Sequence, residues 1–268
     1  MKFSYFPGCT LRNVAKDLDL YARECAEKLG VTLCELPDWQ CCGGVYVSAK
    51  DEIASKLSSV RALIAAKEEN RPLVTVCSAC HNVIKQTNHA LQTDKAFDSA
   101  VNNYLSQEKN PPESYHGEAT VLHYLELLRD VVGFDKVKEA VVNPLKGKKI
   151  GCYYGCLLLR PGKVLQMDDP ENPKIMEDLI SALGGEPVIF PRRNECCGGY
   201  VVLENPSSSE KKSKAVLESA RSHGADFIVT ACPLCKYNLQ KNESEVPVVY
   251  FTELLAEALG VKEGTENE

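Results

Sequence analysis

Ten of the thirteen cysteines in this 268-residue chain repeat one spacing pattern. Each copy has an isolated cysteine after a glycine, an adjacent pair followed by two glycines, and a CxxC pair separated from the adjacent pair by 34 residues. The first copy comprises Cys9, Cys41, Cys42, Cys77 and Cys80, and the second comprises Cys156, Cys196, Cys197, Cys232 and Cys235. A constant offset of 155 residues between the adjacent pairs and between the CxxC pairs indicates an internal duplication.

Thiolates select soft or borderline metals, namely zinc, copper(I) and the iron of iron–sulfur clusters. Five thiolates in each half exceed the ligands that one zinc ion or one cubane cluster uses. Neighbouring side chains diverge, so an adjacent pair suits a larger multi-iron centre. The glycines after each pair would let backbone N–H groups approach cluster sulfides. The pattern therefore indicates metal sites and favours iron–sulfur clusters, with a zinc-stapled scaffold as the alternative.

Three cysteines lie outside the repeat. Cys25 falls on the apolar face of a helical pattern and Cys34 lies within a strand pattern, so both are expected to be buried as small hydrophobic residues. Cys152 precedes Cys156 by four residues and is an alternative ligand. Because Cys156 directly follows a glycine, as Cys9 does, Cys156 is the preferred candidate.

A few other side chains lie close to these cysteines in sequence. His81 follows Cys80 and is a candidate proton donor or a support for a ligand, whereas the other histidines are expected to be surface or core residues. Four cations are candidates for holding an anionic substrate, with solvated surface charge as the alternative. They are Arg160, Arg192, Arg193 and Lys236. Trp39 is expected to pack over the first cysteine pair.

The elements that must position the cysteines alternate between strand and helix. The predicted strands are 2–6, 31–36 and 73–76 in the first half and 149–153, 187–190 and 227–230 in the second. The predicted helices are 18–29, 50–68, a helix beginning within the first CxxC segment, 173–183 and 208–223. This alternation predicts α/β layers with a largely parallel sheet flanked by helices in each half. Sites in such folds lie at the carboxyl ends of the strands.

The two halves also match beyond the cysteines. Residues 122–128 resemble residues 249–255 at an offset of 127, which places 28 extra residues in the first half. We predict domains at 1–146 and 147–268, with the insertion at about 90–118 including a helix at 94–106. Residues 262–268 are expected to fray.

Bulk properties narrow the class of protein. The net charge is −6, and acidic and basic residues are interspersed along the chain, which indicates neither a nucleic-acid nor a membrane surface. No apolar run is long enough to span a bilayer. The absence of a signal-peptide pattern and the odd cysteine count favour metal ligation in the cytoplasm over disulfides. No GxGxxG or P-loop sequence is present, so flavin or nucleotide is expected on another chain.

The two-fold pattern resembles the cysteine-rich domain named for its CCG motif. The segments 5–9, 38–43 and 154–161 (YFPGC, DWQCCG and YGCLLLRP) closely resemble the B subunit of heterodisulfide reductases, and the resemblance covers residues 1 to about 260. It implies two homologous CCG domains, each binding one noncubane [4Fe-4S] cluster through its five cysteines. It also implies a disulfide substrate, small-molecule or protein, between the clusters. Two partners are implied as well, namely the ferredoxin-like iron–sulfur chain and the flavin-bearing chain of the same complex.

Reducing a disulfide to two thiols takes two electrons, whereas an iron–sulfur cluster normally delivers one. The duplication therefore suggests that two clusters each donate one electron to the same disulfide. The alternative from another class is an electron-transfer subunit of a lactate-, glycolate- or succinate-type dehydrogenase, which would contain the same clusters without a substrate site.

Overall fold

A computed structural model of the chain describes residues 1–44, 53–242 and 246–261. The first half contains a four-stranded sheet with helices around it. Its elements are β1 (Lys2–Phe6), α1 (Cys9–Asn13), α2 (Lys16–Lys28), β2 (Thr32–Glu35), α3 (Ala54–Glu68), β3 (Leu73–Thr75), α4 (Ser78–Thr93), α5 (Lys95–Ser106), β4 (Val121–His123), α6 (Tyr124–Glu126), a π-helical segment (Leu127–Val132) and α7 (Phe134–Glu139).

The second half repeats this order without a counterpart of α5 in its described residues. Its elements are β5 (Lys149–Tyr153), α8 (Gly162–Leu165), α9 (Ile175–Ala182), β6 (Glu186–Val188), a 3₁₀ turn (Gly199–Val201), α10 (Pro206–Ser222), β7 (Phe227–Thr230), α11 (Pro233–Gln240), β8 (Val248–Tyr250) and α12 (Phe251–Leu259). The predicted helix at 94–106 is present as α5. Asp94 caps this helix, and its side chain accepts hydrogen bonds from the N–H groups of Ala96 and Phe97.

All strand pairs in both sheets are parallel, and the strand orders are β2-β1-β3-β4 and β6-β5-β7-β8. The registers also correspond, since Tyr5 pairs with Val74 and Cys152 pairs with Val229. The predicted fold class, two repeated α/β units with parallel sheets, is confirmed. The chain order reverses between β1 and β3, and again between β5 and β7, where crevices form in such sheets.

The sequence prediction differs from the structure at several strands. The predicted strand 187–190 is instead Glu186–Val188, at the edge of its sheet. Pro187 is tolerated there because an edge strand has no neighbouring strand on one side and so needs no backbone N–H donor on that side. The strands β4 and β8 were not predicted, since each is only three residues long and runs directly into a helix. Of the predicted helix 50–68, the structure describes residues 53 onward, and α3 begins at Ala54. The tail 262–268, which was expected to fray, lies outside the described residues.

The halves share one large apolar core. Helix α12 packs against α2, and the Thr252 hydroxyl donates to the Leu18 carbonyl at 3.2 Å. Side chains from both halves belong to the same buried cluster, including Leu18, Leu29, Leu255 and Leu259. This packing holds the two sheets in a fixed relation. Within the described part of the chain, no helix has the length and apolar composition needed to cross a bilayer.

Candidate metal centre

The repeated cysteines lie at the carboxyl ends of the strands, as the α/β pattern predicts. Cys9 is the first residue of α1, and Cys77 and Cys232 are the N-cap residues of α4 and α11. The N–H groups at a helix N-terminus carry partial positive charge, which favours a thiolate there, but the hydrogen bonds to Cys41 and Cys232 raise the pKa of Cys9 and of Cys77. Strand ends and helix starts thus deliver sulfur ligands to one edge of each sheet.

The cysteines of each adjacent pair have further sulfur neighbours elsewhere in their half. The Cys41 sulfur lies 3.6 Å from that of Cys9, and the Cys42 sulfur lies 3.4 Å from that of Cys80. In the second half, the Cys197 sulfur lies 3.5 Å from that of Cys235. These distances are far longer than the roughly 2.05 Å of a disulfide bond, so the sulfurs are thiols or thiolates.

The sulfurs form chains of contacts, since Cys42 bonds with both Cys41 and Cys80, and Cys77 bonds with both Cys80 and Cys232. In the described ranges, no three Cys, His, Asp or Glu side chains are arranged as ligands of a single ion.

Glycines make close approach to the sulfurs possible. A Cβ added at Gly8, whose φ is +81°, would lie 2.8 Å from the Cys80 sulfur, and one at Gly155 would lie 3.4 Å from the Cys235 sulfur. The Gly198 N–H donates to the Cys196 sulfur at 3.3 Å, and the Gly199 N–H donates to the Cys197 sulfur at 3.4 Å. The N–H groups of the second glycine pair thus contact cysteine sulfurs, and their approach to cluster sulfides stays a prediction.

Hydrogen bonds between thiols set which sulfurs are ionised. The Cys41 and Cys80 thiols donate to Cys42 and lower its pKa to about 4, and the Cys156 thiol donates to Cys196 and lowers its pKa to about 6. The pKa of the donor Cys156 is raised by the same hydrogen bond. These hydrogen bonds favour the thiolate form of Cys42 and Cys196, which is the form that binds metals.

The two cysteine sites meet at the interface between the halves. The Cys77 thiol donates to the Cys232 sulfur, which raises the pKa of Cys77 and contributes to lowering that of Cys232. The Tyr250 hydroxyl donates to the carbonyls of Val76 at 2.7 Å and Ala231 at 3.1 Å, the residues that precede these two cysteines. The carboxyl edges of the two sheets therefore face each other, and their CxxC segments are in direct contact.

His81 and Lys236 occupy corresponding positions after the two CxxC pairs. Lys236 contacts Glu253 at 2.6 Å, and His81 Nε2 lies 3.5 Å from Glu126, the corresponding glutamate. In the first half the cation comes from Lys85, one turn further along α4, at 3.1 Å from Glu126. Both glutamates cap the helix that follows the last strand of their sheet.

Two histidines are buried near the interface and three are exposed. Burial lowers the pKa of His81 well below its usual range, and lowers that of His123 to about 3. His123 Nε2 donates to the Val76 carbonyl at 3.0 Å, which makes His123 a support for the first CxxC segment that sequence reasoning missed. The role of His81 as a proton donor stays a prediction; its ring lies beside Glu126 and His123.

Tyr200, directly after the second CCGG segment, connects the two sites. Its hydroxyl donates to the Gly44 carbonyl at the end of the first CCGG segment. Burial, followed by the nearby cysteine sulfurs, raises the pKa of Tyr200. No sequence signal marked this residue, because its importance depends on how the halves face each other.

A cavity of about 490 Å³ borders the first-half cysteines. Its walls come from both halves, with α1, α2 and the CxxC segment on one side and α11 on the other. The described lining residues are Cys9, Thr10, Val14, Ala15, Asp17, Leu18, Cys41, Cys42, Gly44, Cys77, Ala79, Cys80, Pro233, Leu234, Lys236, Tyr237 and Gln240. The space beside the second-half cysteines is only about 10 Å³.

The arginine candidates from the sequence are all engaged with protein groups. Buried Arg193 binds Glu177 at 2.5 Å, Arg192 binds Glu195 at 2.6 Å, and Arg160 binds the Asn194 carbonyl at 3.0 Å. Trp39 packs on Phe6 of β1 with ring centroids 5.1 Å apart, and its indole N–H donates to Glu35 at 2.9 Å. Its packing over the first cysteine pair stays a prediction.

The cysteines outside the repeat lie within secondary structure. Cys25 is fully buried in α2, and Cys34 is half-buried in the edge strand β2. Cys152 is fully buried in β5 at the position that corresponds to Tyr5. Its pKa is raised by burial and then by Glu177, whereas the next residue, Tyr153, faces the cysteine site. Alternation along the strand thus directs Cys152 away from the site.

Two segments, residues 3–85 and 150–240, match the cysteine-rich CCG domain model, and each contains one set of five cysteines. The chain belongs to the CCG cysteine-rich domain family. The CCG chain is 31% identical, over 97% of its length and 93% of the relative, to the 8-methylmenaquinol:fumarate reductase membrane anchor subunit of Wolinella succinogenes.

Further comparisons agree with this family. The chain is 29% identical, over 97% of its length and 89% of the relative, to the B subunit of the ferredoxin/F420H2-dependent CoB-CoM heterodisulfide reductase of Methanosarcina acetivorans. A hypothetical protein from Helicobacter pylori shares the fold with a TM-score of 0.73 at 14% identity, and the match covers 97% of this chain but only 49% of that one. The CCG chain is thus related to subunits of oxidoreductase complexes.

Proposed function

We propose that this CCG protein is the catalytic iron–sulfur subunit of a heterodisulfide-reductase-like complex, and that it reduces a disulfide to two thiols. The observation that carries the proposal is the cavity of about 490 Å³, which brings a small-molecule-sized space to the sulfurs of the first half. Besides the five sulfurs, the lining includes Val14, Tyr237 and Gln240, which are not proposed ligands.

The donor set suits an iron–sulfur cluster in each half. Thiolates, close N–H donors and glycines that leave room for sulfide are the features that such clusters use. The proposed ligands are Cys9, Cys41, Cys42, Cys77 and Cys80 for one noncubane [4Fe-4S] cluster, and Cys156, Cys196, Cys197, Cys232 and Cys235 for the other. When bound, the two clusters would supply electrons to the substrate one at a time.

The chain's own residues bind and shield the substrate in this proposal. Leu18, Pro233 and Leu234 form apolar walls beside the sulfurs and limit the access of water to them. The contact between Cys77 and Cys232 keeps the two cysteine sites adjacent.

The organisation of the complex belongs to the same proposal. We propose domains at 1–146 and 147–268, and two partner chains, one a ferredoxin-like iron–sulfur protein and the other a flavin-bearing protein. We also propose a cytoplasmic location, which the thirteen free cysteines support because disulfides are rare in that compartment.

A second candidate function is electron transfer without a substrate site. It is favoured by the 31% identity to a fumarate reductase membrane anchor subunit. In that case the cavity beside the first-half cysteines would contact a partner subunit rather than a disulfide. The zinc-stapled scaffold is the third possibility, and metal analysis separates it from the other two.

The test begins with iron and acid-labile sulfide on anaerobically purified protein, where two four-iron clusters correspond to about eight of each per chain. Disulfide reduction is then measured with reduced viologen as the electron donor. We expect Cys42→Ala to lose about half of the iron and to lose the disulfide-reducing activity. Cys25→Ala, which replaces a buried cysteine outside the repeat, should keep both. Full iron without turnover of any disulfide would favour electron transfer alone. Stoichiometric zinc with little iron after anaerobic reconstitution would leave only the scaffold.

A further inference from the structure

A buried hydrogen-bonded triad lies behind the second-half cysteines, and we call it the second-half clamp. It consists of Tyr154, Glu177 and Arg193. The Tyr154 hydroxyl donates to the Glu177 carboxylate, and the Arg193 guanidinium donates to the same carboxylate at 2.5 Å. The exposed fractions of the three residues are 1%, 7% and 5%. Because burial removes water as an alternative partner, breaking one of these bonds leaves a polar group unsatisfied.

The second-half clamp joins the two segments that carry Cys156 and Cys196. Tyr154 lies two residues before Cys156, and Arg193 lies three residues before Cys196. The Arg193 carbonyl also accepts from the N–H groups of Tyr154 at 2.8 Å and Gly155 at 3.2 Å. The carboxylate of the clamp belongs to α9, so both segments are fixed to one helix. These segments carry the two second-half cysteines that share a hydrogen bond.

The first half contains a triad of the same kind, the first-half clamp of Tyr5, Asp19 and Arg23. The Tyr5 hydroxyl donates to Asp19 at 2.6 Å, and Arg23 donates to the same carboxylate at 2.9 Å. Arg23 also donates to Glu35 at 2.6 Å, and Glu35 accepts from the indole N–H of Trp39 at 2.9 Å. This clamp therefore connects β1, which leads to the isolated cysteine, with the segment that enters the adjacent pair.

The two clamps are built from positions that do not correspond in the repeat. Tyr5 corresponds to Cys152 by strand register, whereas Tyr154 corresponds to Pro7. The arginines also differ, since one lies in α2 and the other lies in the turn before the adjacent pair. The duplication by itself therefore does not explain why both halves contain such a triad. What the two clamps share is the pair of segments that they join.

We infer that each clamp positions the ligands of its own cluster, by holding the isolated cysteine beside the first cysteine of the adjacent pair. The inference rests on the proposed function, because it assumes a cluster in each half. The clamp residues are not ligands and act through the backbone segments that carry the cysteines. When a clamp opens, the two segments can separate and the cluster of that half can lose iron. Each clamp should therefore control iron release from one cluster and leave the other unchanged.

The test is the anaerobic release of iron from the cluster-loaded protein to an excess of a ferrous-iron chelator. Tyr154→Phe removes the hydroxyl and keeps the ring. We expect about four of the irons to leave roughly tenfold faster, because a buried bond to a charged group no longer has to break when the clamp opens. Arg193→Lys, which keeps the charge and the backbone carbonyl, should accelerate the release of the same irons. Tyr5→Phe should accelerate the release of the others.

A variant that retains one cluster identifies which irons respond. In a Cys42→Ala background, which should keep only the second-half cluster, Tyr154→Phe should still accelerate iron release and Tyr5→Phe should not. The electron paramagnetic resonance spectrum of the reduced protein gives a second readout. Tyr154→Phe should change only the signal that Cys42→Ala retains.

Tyr115→Phe is the matched control. Tyr115 is fully buried, and its hydroxyl donates to Asn88 and accepts from the Ala119 N–H. The Tyr154 hydroxyl likewise donates to a side chain and accepts from a backbone N–H, that of Met176. Tyr115→Phe should lower the midpoint of denaturant unfolding as Tyr154→Phe does, but leave iron release and the spectrum unchanged.

Equal rates of iron release in Tyr154→Phe and Tyr115→Phe would overturn the positioning role, and so would faster release of all the iron from Tyr154→Phe. Neither outcome bears on disulfide reduction by the unmodified protein. A loaded protein that reduces no disulfide would overturn the catalytic function and leave the clamps supported, because iron release does not depend on turnover. Unmodified protein that takes up no iron would overturn both.

Discussion

Ser78 donates two hydrogen bonds to the carbonyl of Ala231, one from its hydroxyl at 2.7 Å and one from its backbone N–H at 3.2 Å. These residues belong to opposite halves, and each adjoins the first cysteine of a CxxC pair. The position that corresponds to Ser78 is Pro233, which has no N–H to donate in return. The Tyr250 hydroxyl instead donates to the Val76 carbonyl. The carbonyls of Val76 and Ala231 therefore both accept hydrogen bonds, although the repeat is not symmetric.

Replacing Ser78 with alanine should weaken the interface between the halves. The backbone N–H would remain, so the expected loss in the free energy of unfolding is about 0.5–1.5 kcal/mol, the usual net value of one hydrogen bond. Anaerobic denaturant unfolding measures it. Ser106→Ala is the control because Ser106 bonds only locally at the surface. Equal losses in the two variants would mean that the Ser78 hydroxyl does not stabilise the interface.

Gly8→Ala should displace the proposed first cluster. The added methyl would lie 2.8 Å from the Cys80 sulfur, and the positive φ adds backbone strain. We expect iron to fall from about eight to about four per chain. Gly147→Ala is the control, since it has a φ of +74° but nothing within 4 Å of its added Cβ. It should keep its iron, and an unchanged iron content in Gly8→Ala would contradict the proposed first-half site.

Tyr200→Phe removes the hydroxyl that bonds to Gly44 and so releases one CCGG segment from the other half. The expected loss of stability is about 1 kcal/mol. Because Gly44 lies two residues after the proposed ligand Cys42, the electron paramagnetic resonance spectrum of the reduced protein should also change while iron content stays constant. Tyr237→Phe removes an exposed hydroxyl and is the control for both readouts. Spectra identical to the unmodified protein would argue against coupling through Tyr200.

Stability should fall as the pH drops below neutral. His123 is buried in its neutral form with a pKa of about 3, whereas an unfolded histidine titrates near 6.5. Below pH 6.5 the unfolded state binds the extra proton, so His123 alone costs about 1.4 kcal/mol per pH unit down to its folded pKa. The lowered pKa of His81 acts in the same direction.

The free energy of unfolding at pH 5.5, 6.5 and 7.5 measures this effect. His123→Gln should be less stable at pH 7.5 because the bond to Val76 changes, but its pH dependence should be shallower by about one proton. Any loss of the proposed clusters in acid would affect both proteins alike, so the difference between the two slopes reports on His123. Parallel pH curves for the two proteins would exclude His123 as a source of the pH dependence.

The sequence by itself determined the repeat, the parallel α/β class and the candidate ligands. Cysteine spacing can be read directly from the sequence. Helices such as α5 are long enough for the helical period of their apolar residues to be recognised. Three-residue strands such as β8 carry no readable period and form because neighbouring strands supply their hydrogen-bond partners. Sequence reasoning therefore saw the match between residues 122–128 and 249–255 but not the strands within it.

The tertiary structure alone decided how the two sites relate. The contacts of Ser78 with Ala231 and of Tyr200 with Gly44 join residues 153 and 156 positions apart, and nothing in the local sequence encodes such pairings. Only the tertiary structure also shows which charged side chains are paired inside the protein. Arg193 could have been a substrate-binding cation until burial beside Glu177 showed that its charge is used inside the protein. Pairing and desolvation depend on which elements pack together, and only the folded chain determines that.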